Sequence, residues 1–386
     1  MRFAEALCRS GLGAIAEFKR RSPSAGDIRP DARVEEIVAS YGTAGASAVS
    51  VLVDERFAGS LDDLRAARAV TDVPLLAKGF FSTADHLQAV REAGADAALL
   101  ILRDLDDATA AALMADAERL GLDTLVEAHD AEELDRATAL GAAVIGVNAR
   151  DLGTFQIDRR TQLELVARAP RDRVIVAESA IHSRAQAAAA ELAGADAVLV
   201  GTSLMRATDP GGKLRELVAR PLVKVCGLTR QEDVDAAVDA GADMLGFILV
   251  DRSPRRAPGV LDVPDTVLSV AVFVGEAEET GADLVQLYLD DGGTVRGREA
   301  LLLREGEQVA RLLDQPWEGD DPAHWAAAAA AADGRIVLAG GLGPENVRAA
   351  IDAVRPWGVD AASALESSPG IKDHARVRAY VEEAHR

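Results

Sequence analysis

The length, composition and charge of the chain exclude several classes of protein. The 386 residues suffice for two domains, and a content of 49% hydrophobic and 27% charged residues is typical of a globular protein rather than a disordered one. Asp and Glu outnumber Lys and Arg by 63 to 42, and the net charge of -21 argues against nucleic acid or an anionic membrane as a general partner. An anionic substrate would therefore need a local cationic pocket, although solubility alone also explains the acidic excess.

Cysteine usage and hydropathy point to a reducing compartment. The only two cysteines, Cys8 and Cys226, lie far apart in the sequence, which excludes a disulfide scaffold. The sequence has no secretory signal pattern and no apolar run of membrane-spanning length. We therefore predict a cytoplasmic protein without a membrane partner.

One local pattern recurs along the chain: an Ala-rich amphipathic stretch, a glycine and a short apolar run. The glycine has the position of a helix C-cap in the left-handed region, and the apolar run is typical of a strand buried on both faces of a parallel sheet. The pattern therefore predicts a βαβ array and an α/β fold. Its copies begin at Gly45, Gly94, Gly141, Gly194, Gly241 and Gly281.

The first half contains eight predicted strands, each followed by a helical pattern. Eight such units are the number for a closed (β/α)8 TIM barrel, and the competing doubly wound sheet would carry a Gly-rich nucleotide turn where this chain has KRRSPS. We predict the strands at Ile15–Lys19, Val49–Val53, Pro74–Lys78, Ala97–Ile101, Thr124–Glu127, Val144–Asn148, Val174–Glu178 and Ala197–Gly201.

The second half predicts another barrel, shortened in its middle. We place the boundary near Ala219, which gives domains 1–219 and 220–386. The candidate strands Leu284–Tyr288, Ala300–Leu303 and Val309–Leu313 are joined by segments without room for the crossovers that parallel strands need. Either two helices have been lost, or Arg298–Leu313 is one helix that replaces a strand. The fold prediction is thus two consecutive TIM barrels, the second shortened or incomplete.

Polar residues gather at the carboxyl ends of the first eight strands, where TIM barrels carry their sites. Solvent exposure explains any single charged residue there, but five charged groups at one mouth point to a paired site, because unpaired burial is costly. The small residues in VAESAIHS and VLVGTSLMR occupy the usual phosphate position of the fold. The polar set comprises Glu17, Lys19, Lys78, Glu127, Asn148, Glu178, Ser179 and Thr202, with Gly201 beside them.

The first half resembles the indole-3-glycerol phosphate synthase family over about residues 1–206. The resemblance implies an enzyme that forms the indole ring of tryptophan from a carboxyphenylamino-deoxyribulose phosphate, releasing carbon dioxide and water, without a cofactor. The segments that carry it occur in the family's order: IAEFKRRSPSAG, SVLVDERFAGSLDDL, PLLAKGFF, LVEAHDAEEL, GVNARDLGTF, VAESAIHS and VLVGTSLMR.

The resemblance assigns a role to each polar residue at the strand ends. A lysine kept charged by neighbouring carboxylates suits proton donation to a carbonyl during ring closure. The implied roles are Lys78 as general acid, Glu127 as general base, Lys19 as the holder of the substrate carboxylate with Glu17 beside it, Asn148 and Glu178 as orienting residues, and Ser22, Ser179, Gly201 and Thr202 at the phosphate.

Three features depart from the family pattern without removing a principal catalytic group. Gly79 follows Lys78 where the family has Asp, and Ala180 stands where Gly is usual at the phosphate. The family also carries a preceding segment with a helix that covers the pocket, whereas this sequence begins at MRFAEAL. We expect either an earlier true start or a missing cover.

The second half resembles phosphoribosylanthranilate isomerase, the preceding step of the same pathway and a known fusion partner of the synthase. KVCGLTR, DRSPR, VQLY, LAGGL, GPENV and SSPGIKD carry the resemblance from about Val223 to Arg386. Physically, Cys226 is equally well explained as an inert buried thiol. The resemblance implies Cys226 as general base and Asp314 as general acid of an Amadori rearrangement, Arg255 at the anthranilate carboxylate, and Gly340 and Gly341 at the phosphate.

The second half departs further from its family. QPWEGDDP replaces a glycine-rich phosphate loop, Tyr288 replaces a histidine, and ASALE at Ala362–Glu366 replaces SSGVE. Two interpretations follow: a bifunctional enzyme, or a monofunctional synthase with a non-catalytic scaffold or ligand-sensing domain. Both predict phosphorylated small molecules as partners, no nucleic acid, and a monomer or weak homo-oligomer.

Overall fold

Each half of the chain builds its own closed ring of eight strands. The computed structural model describes residues 2–8, 11–150, 156–289, 299–314, 328–330 and 334–386. The chain divides into one unit of Met1–His182 with Ala187–Val218, and a second of Ser183–Gln186 with Ala219–Arg386. Two closed barrels confirm the predicted fold class.

The first ring is wholly parallel, and the eight strands expected from the sequence are all present. Each strand pairs with its sequence neighbour, and Gly13–Phe18 closes the ring by pairing with Ala197–Val200. The strands are Gly13–Phe18, Ala48–Leu52, Leu75–Lys78, Ala97–Ile101, Asp123–Ala128, Val144–Asn148, Val174–Glu178 and Ala197–Val200.

Local signals start and stop the surrounding helices. Side chains of Ser60, Thr83 and Asp130 accept backbone N–H groups at helix N-termini. The glycines of the repeated pattern are left-handed as predicted, with φ of 88° at Gly45, but the helix expected before Gly281 is wrong, since residues 275–283 contain none. The helices are Phe3–Leu7, Val34–Thr43, Leu61–Arg68, Ala84–Glu92, Asp107–Leu120, Ala131–Ala139, Arg159–Arg168, Arg184–Ala193, Thr202–Arg206 and Pro210–Val218.

Strand alternation explains why charged side chains meet at one end of the first ring. The barrel interior holds an apolar cluster, and residues two apart on a strand share a face. A charged residue two positions beyond an interior apolar residue must therefore also point inward, above that cluster. The pairs are Ile15 with Glu17, Leu76 with Lys78, Leu125 with Glu127, and Val176 with Glu178.

The second ring closes although one of its strands is reversed. Glu299–Arg304 runs antiparallel to both neighbours, Leu284–Tyr288 and Glu307–Asp314. The helix alternative for 298–313 is therefore wrong, and so is the assumption that every strand is parallel. Glu305 and Gly306 have φ of 51° and 84°, as a two-residue type I′ hairpin requires. Antiparallel strands need only such a turn, so Glu299–Arg304 and Glu307–Asp314 pair without a crossover helix between them.

All other strand pairs of the second ring are parallel, and the described residues outside the strands include three helices of eight residues or more. The strands are Leu222–Cys226, Met244–Ile248, Leu268–Val274, Leu284–Tyr288, Glu299–Arg304, Glu307–Asp314, Ile336–Ala339 and Gly358–Ala361, and the helices are Gln231–Asp239, Val347–Val354 and His374–His385. Of the helices in the described part of the chain, none has the length and apolar character to cross a bilayer.

Candidate active sites

The mouth of the first ring holds a cavity of about 300 Å³. Arg150, His182, Ser203 and Arg206 also line it, and sequence reasoning did not single them out. All ten residues predicted for the first site line this cavity: Glu17, Lys19, Ser22, Lys78, Glu127, Asn148, Glu178, Ser179, Gly201 and Thr202. The structure thus brings together the nine residues predicted from the strand ends and Ser22, which the family resemblance added.

Lys78 is the centre of the charged group. Its Nζ lies 2.7 Å from Glu178 Oε2, 3.6 Å from Glu127 Oε2 and 3.7 Å from Glu17 Oε2. Burial alone would lower the pKa of Lys78, but the three carboxylates raise it well above its usual value. Lys78 is therefore held as an ammonium ion in an enclosed site.

Lys19 forms a second ion pair at the same mouth. Its Nζ donates to Glu17 Oε1 at 2.6 Å, while the other oxygen of Glu17 faces Lys78. Burial opposes ionisation of Glu17, yet Lys19 and Lys78 lower the pKa of that carboxyl. Glu17 thus bridges the two ammonium groups and stays ionised.

The two remaining carboxyl groups are driven to opposite protonation states. Burial, reinforced by the nearby Glu127 charge, raises the pKa of Glu178 to about 8. Burial also opposes ionisation of Glu127, but Lys78 and His129 lower its pKa to about 2. Glu17 is also paired with Lys19 and Glu127 with His129, whereas Glu178 shares Lys78 with both of these carboxylates, so Glu178 is the carboxyl that carries the proton near neutral pH. Divergent pKa values of this kind separate an acid from a base at one site.

Two glycines make room for these side chains, and their role was not foreseen. A Cβ at Gly146 would collide with Glu178 Oε1, and one at Gly201 would collide with Glu17 Oε1 and lie 3.0 Å from Lys19 Nζ. Each glycine is therefore required by close approach. Gly201 had been assigned only to the phosphate.

The phosphate side of the cavity has an unusual backbone. Ser179 and Ala180 both adopt left-handed conformations, with φ of 70° and 55°. The Ser179 hydroxyl donates to Asn148 Oδ1 at 2.7 Å. The helix Thr202–Arg206 begins beside this segment of the cavity wall. Small side chains here leave backbone N–H groups accessible to an anion.

The second ring encloses a separate cavity of about 750 Å³. All five residues predicted for the second site line it: Cys226, Arg255, Asp314, Gly340 and Gly341. Ala362, Ser363 and Ala364 of the ASALE segment also line it. The QPWEGDDP segment lies outside the described residues.

A hydrogen-bonded chain runs beneath this second cavity. Lys224 Nζ donates to Gln286 Oε1 at 2.9 Å, Gln286 Nε2 donates to the Tyr288 hydroxyl at 3.0 Å, and that hydroxyl donates to Asp314 Oδ2 at 3.3 Å. Tyr288 thus contacts the predicted acid directly. Burial raises the pKa of Cys226, and the nearby Lys224 only partly opposes this. The thiol form therefore predominates at neutral pH.

The guanidinium of Arg255 is held at its Nε atom by Glu366. Its Nε donates to both oxygens of the buried Glu366, at 2.8 and 2.9 Å, and Lys372 Nζ donates to the same carboxylate at 3.0 Å. Glu366 thus fixes the guanidinium through its Nε atom, in the wall of the cavity that would receive a ligand carboxylate. In neither barrel do the described residues contain a group of three or more His, Cys, Asp or Glu side chains arranged for a metal ion.

Comparison with known proteins identifies both halves. The family model "Indole-3-glycerol phosphate synthase" matches residues 1–217, and "N-(5'phosphoribosyl)anthranilate (PRA) isomerase" matches residues 323–383. Indole-3-glycerol phosphate synthase 2 of Streptomyces coelicolor is 48% identical over 217 residues, which are 56% of this chain and 84% of that protein. The tryptophan biosynthesis protein TrpCF of Yersinia pestis is 36% identical over 403 residues, with 95% of this chain and 83% of that protein covered.

Among solved structures, the phosphoribosyl anthranilate isomerase of Thermotoga maritima is 28% identical, covering 43% of this chain and 99% of that one with a TM-score of 0.35. The relative that spans nearly the whole chain favours the two-enzyme interpretation over a non-catalytic second half. The chain therefore belongs to the indole-3-glycerol phosphate synthase family, in the bifunctional arrangement that adds a phosphoribosylanthranilate isomerase domain for tryptophan biosynthesis.

Proposed function

We propose that domain 1–219 converts 1-(2-carboxyphenylamino)-1-deoxyribulose 5-phosphate into indole-3-glycerol phosphate at the Lys78 site, and that domain 220–386 supplies this substrate by isomerising N-(5-phosphoribosyl)anthranilate at the Cys226 site. The observation that carries the proposal is Lys78, kept charged by the carboxylates of Glu17 and Glu127 and in contact with Glu178, beside an anion-accepting mouth. Neither step requires a cofactor.

In the first barrel, the aryl carbon that bears the carboxylate bonds to the ketone carbon while Lys78 gives a proton to the ketone oxygen. Lys19 holds the carboxylate until the C–CO₂ bond breaks and its electron pair restores the aromatic ring. The new hydroxyl takes a second proton from Lys78, which solvent has protonated again, and leaves as water. Glu127 takes the carbon-bound proton whose loss forms the indole double bond. Lys78 and Glu127 have the required starting states, since one is held charged and the other ionised.

In the orienting and anchoring roles, Asn148 and Glu178 fix the reacting end, while Ser22, Ser179, Gly201 and Thr202 receive the phosphate. A protonated Glu178 removes one negative charge from a site that must accept an anionic substrate.

In the second barrel, Asp314 gives a proton to the ribose ring oxygen as the ring opens to an iminium. The Cys226 thiolate removes the proton from the adjacent carbon, which gives an enolamine. This enolamine becomes the ketone when its hydroxyl loses a proton and the carbon next to nitrogen gains one, and proton exchange with solvent restores Cys226 and Asp314. Arg255 holds the anthranilate carboxylate, and Gly340 and Gly341 receive the phosphate. These five residues line one cavity, which is the geometry that the reaction needs.

We further propose that the protein acts in the cytoplasm as a monomer or weak homo-oligomer on phosphorylated small molecules, without nucleic acid. The net charge of -21 supports the last point.

Genetic complementation with the full chain tests both activities separately. The gene is expressed in one strain that lacks the synthase step and in another that lacks the isomerase step, with growth without tryptophan as readout. We expect repair of both strains. Repair of the synthase strain alone would support the scaffold or sensor alternative for 220–386, and repair of neither would overturn the proposed function. Assays of the purified chain with each substrate check that growth reports turnover.

A further inference from the structure

A histidine that was not among the predicted site residues lies behind the proposed base. Glu127 and His129 are two apart at the end of the strand Asp123–Ala128, and His129 Nε2 lies 3.1 Å from Glu127 Oε1. The other oxygen of Glu127 faces Lys78 at 3.6 Å. The two oxygens of the base are therefore held from opposite sides by two cationic groups.

The far side of His129 is also fixed. Its Nδ1 lies 2.9 Å from Glu133 Oε2, and its backbone N–H donates to the same oxygen at 2.9 Å. Glu133 is buried on the helix Ala131–Ala139, where its own N–H donates to the N-cap residue Asp130. A helix terminus thus sets the position of the imidazole, which meets Glu127 in an ion pair whose geometry is not that of a hydrogen bond.

We propose that His129 is a positioning residue of the synthase, which as an imidazolium clamped between Glu133 and Glu127 fixes the catalytic carboxylate and keeps it ionised. This inference rests on the proposed role of Glu127. His129 does not line the cavity, so its effect passes through Glu127 rather than through contact with substrate.

The charges around this pair agree with an imidazolium. Burial would lower the pKa of His129, but Glu127 and Glu133 raise it to about 10, so the ring stays charged at neutral pH. The groups that face Glu127 from the other strands are Lys78, Asn148 and Glu178. Of these only Lys78 is cationic, and it is shared with Glu17 and Glu178. Without His129, Glu127 would depend for its positive partner on Lys78, which also contacts Glu17 and Glu178.

His129→Gln in the full chain tests the inference, with His86→Gln on the exposed face of the helix Ala84–Glu92 as matched control. We expect kcat of the synthase to fall about ten- to hundredfold with KM little changed, as expected for loss of a charged partner. Loss of the positive charge raises the pKa of Glu127, so the acid limb of the synthase pH profile must move to higher pH. Isomerase activity and the control variant should be unchanged.

Glu133→Gln, which keeps shape but removes the outer charge, should produce a smaller shift in the same direction. A His129→Gln chain with wild-type kcat and an unmoved acid limb would overturn the inference, even if its melting temperature fell, because that result is the signature of a purely structural residue. An inactive wild-type synthase would instead overturn the proposed function, and this inference with it.

Discussion

Both rings of eight strands close, but they differ in strand direction and in how successive strands are connected. In the first, a helical segment separates successive parallel strands, whereas the second reverses one strand and joins it to the next by a hairpin. The first mouth concentrates two ammonium groups and three carboxylates in about 300 Å³, and the second spreads fewer charges around about 750 Å³. Ring closure therefore depends on edge-to-edge strand pairing, and helices can be lost where a strand turns back.

The comparison also separates fold from chemistry. Both sites are built from residues at strand ends, so each reaction depends on its own side chains and not on how completely helices cover the ring. Substitutions in one barrel should consequently leave the other activity intact, and the following changes test this independence in order of decreasing effect.

The largest effect is expected from Lys78→Met, which keeps length but removes the proton donor. Synthase kcat should fall on the order of 10³-fold, as for loss of general acid catalysis. The isomerase rate measured in the same preparation should be unchanged. Lys213→Met, on the outer helix Pro210–Val218, is the control. A near-normal synthase rate in the Lys78 variant would contradict the assignment.

Cys226→Ser should lower isomerase kcat by roughly 10²-fold or more, since a hydroxyl is a much weaker base than a thiolate. The exposed Cys8→Ser provides a matched control for loss of a sulfur. Synthase activity checks that the chain is folded. If the Cys226→Ser variant keeps its isomerase activity, Cys226 is an inert buried thiol and not the general base.

The two activities should respond to pH in opposite directions. The raised pKa of Cys226 means that its thiolate fraction, and with it isomerase kcat/KM, rises up to about tenfold per pH unit across the neutral range. Glu178, with a pKa near 8, ionises as pH increases further and adds a negative charge beside the anionic substrate, so synthase kcat/KM should decline above about pH 8. This prediction is wrong if kcat/KM of the two activities, measured on one preparation, changes with pH in the same direction.

Tyr288→Phe removes the hydroxyl that donates to Asp314 Oδ2 and accepts from Gln286. We expect isomerase kcat to fall by about tenfold, the value of one lost hydrogen bond. Tyr288→His, which restores the family's residue, should retain more activity than the Phe variant. Equal rates for both variants would show that the hydroxyl network does not support Asp314.

The smallest effect is expected at Ala180, whose φ of 55° is unfavourable for a residue with a Cβ. Ala180→Gly relieves this strain, but glycine also raises the conformational entropy of the unfolded chain by a small amount. The free energy of unfolding should therefore change by less than about 1 kcal/mol. Removal of the methyl at the phosphate wall should lower the synthase KM without changing kcat. Ala58→Gly, with φ of 54° outside the cavity lining, should share the stability change but not the KM change.

Strand periodicity was sufficient to predict much of the first site. Glu17, Lys78, Glu127 and Glu178 each stand two residues beyond an interior apolar residue, so their convergence follows from alternation once the strands are placed. The roles assigned to them came from family resemblance and stay proposals. His129 was missed, although its spacing of two from Glu127 and four from Glu133 was a usable signal.

The reversed strand could not be predicted in the same way. The local sequence predicts strands at Ala300–Leu303 and Val309–Leu313 but not the direction of either strand. That direction is set by the neighbouring strand with which each one pairs. The two-residue separation at Glu305-Gly306 was too short for a crossover, which excluded a parallel connection but not a helix. The direction of Glu299–Arg304 is known only from its antiparallel pairing with Leu284–Tyr288.

The amino-acid sequence determined which residues form strands, which side chains face inward, and which polar groups stand at the strand ends, because these depend on local periodicity. Only the tertiary structure decided which carboxyl carries a proton, which glycines must lack a side chain, and which strand is reversed. Those outcomes depend on distances between segments far apart in the chain, such as Lys78 to Glu178 and Gly201 to Glu17, and local sequence does not contain them.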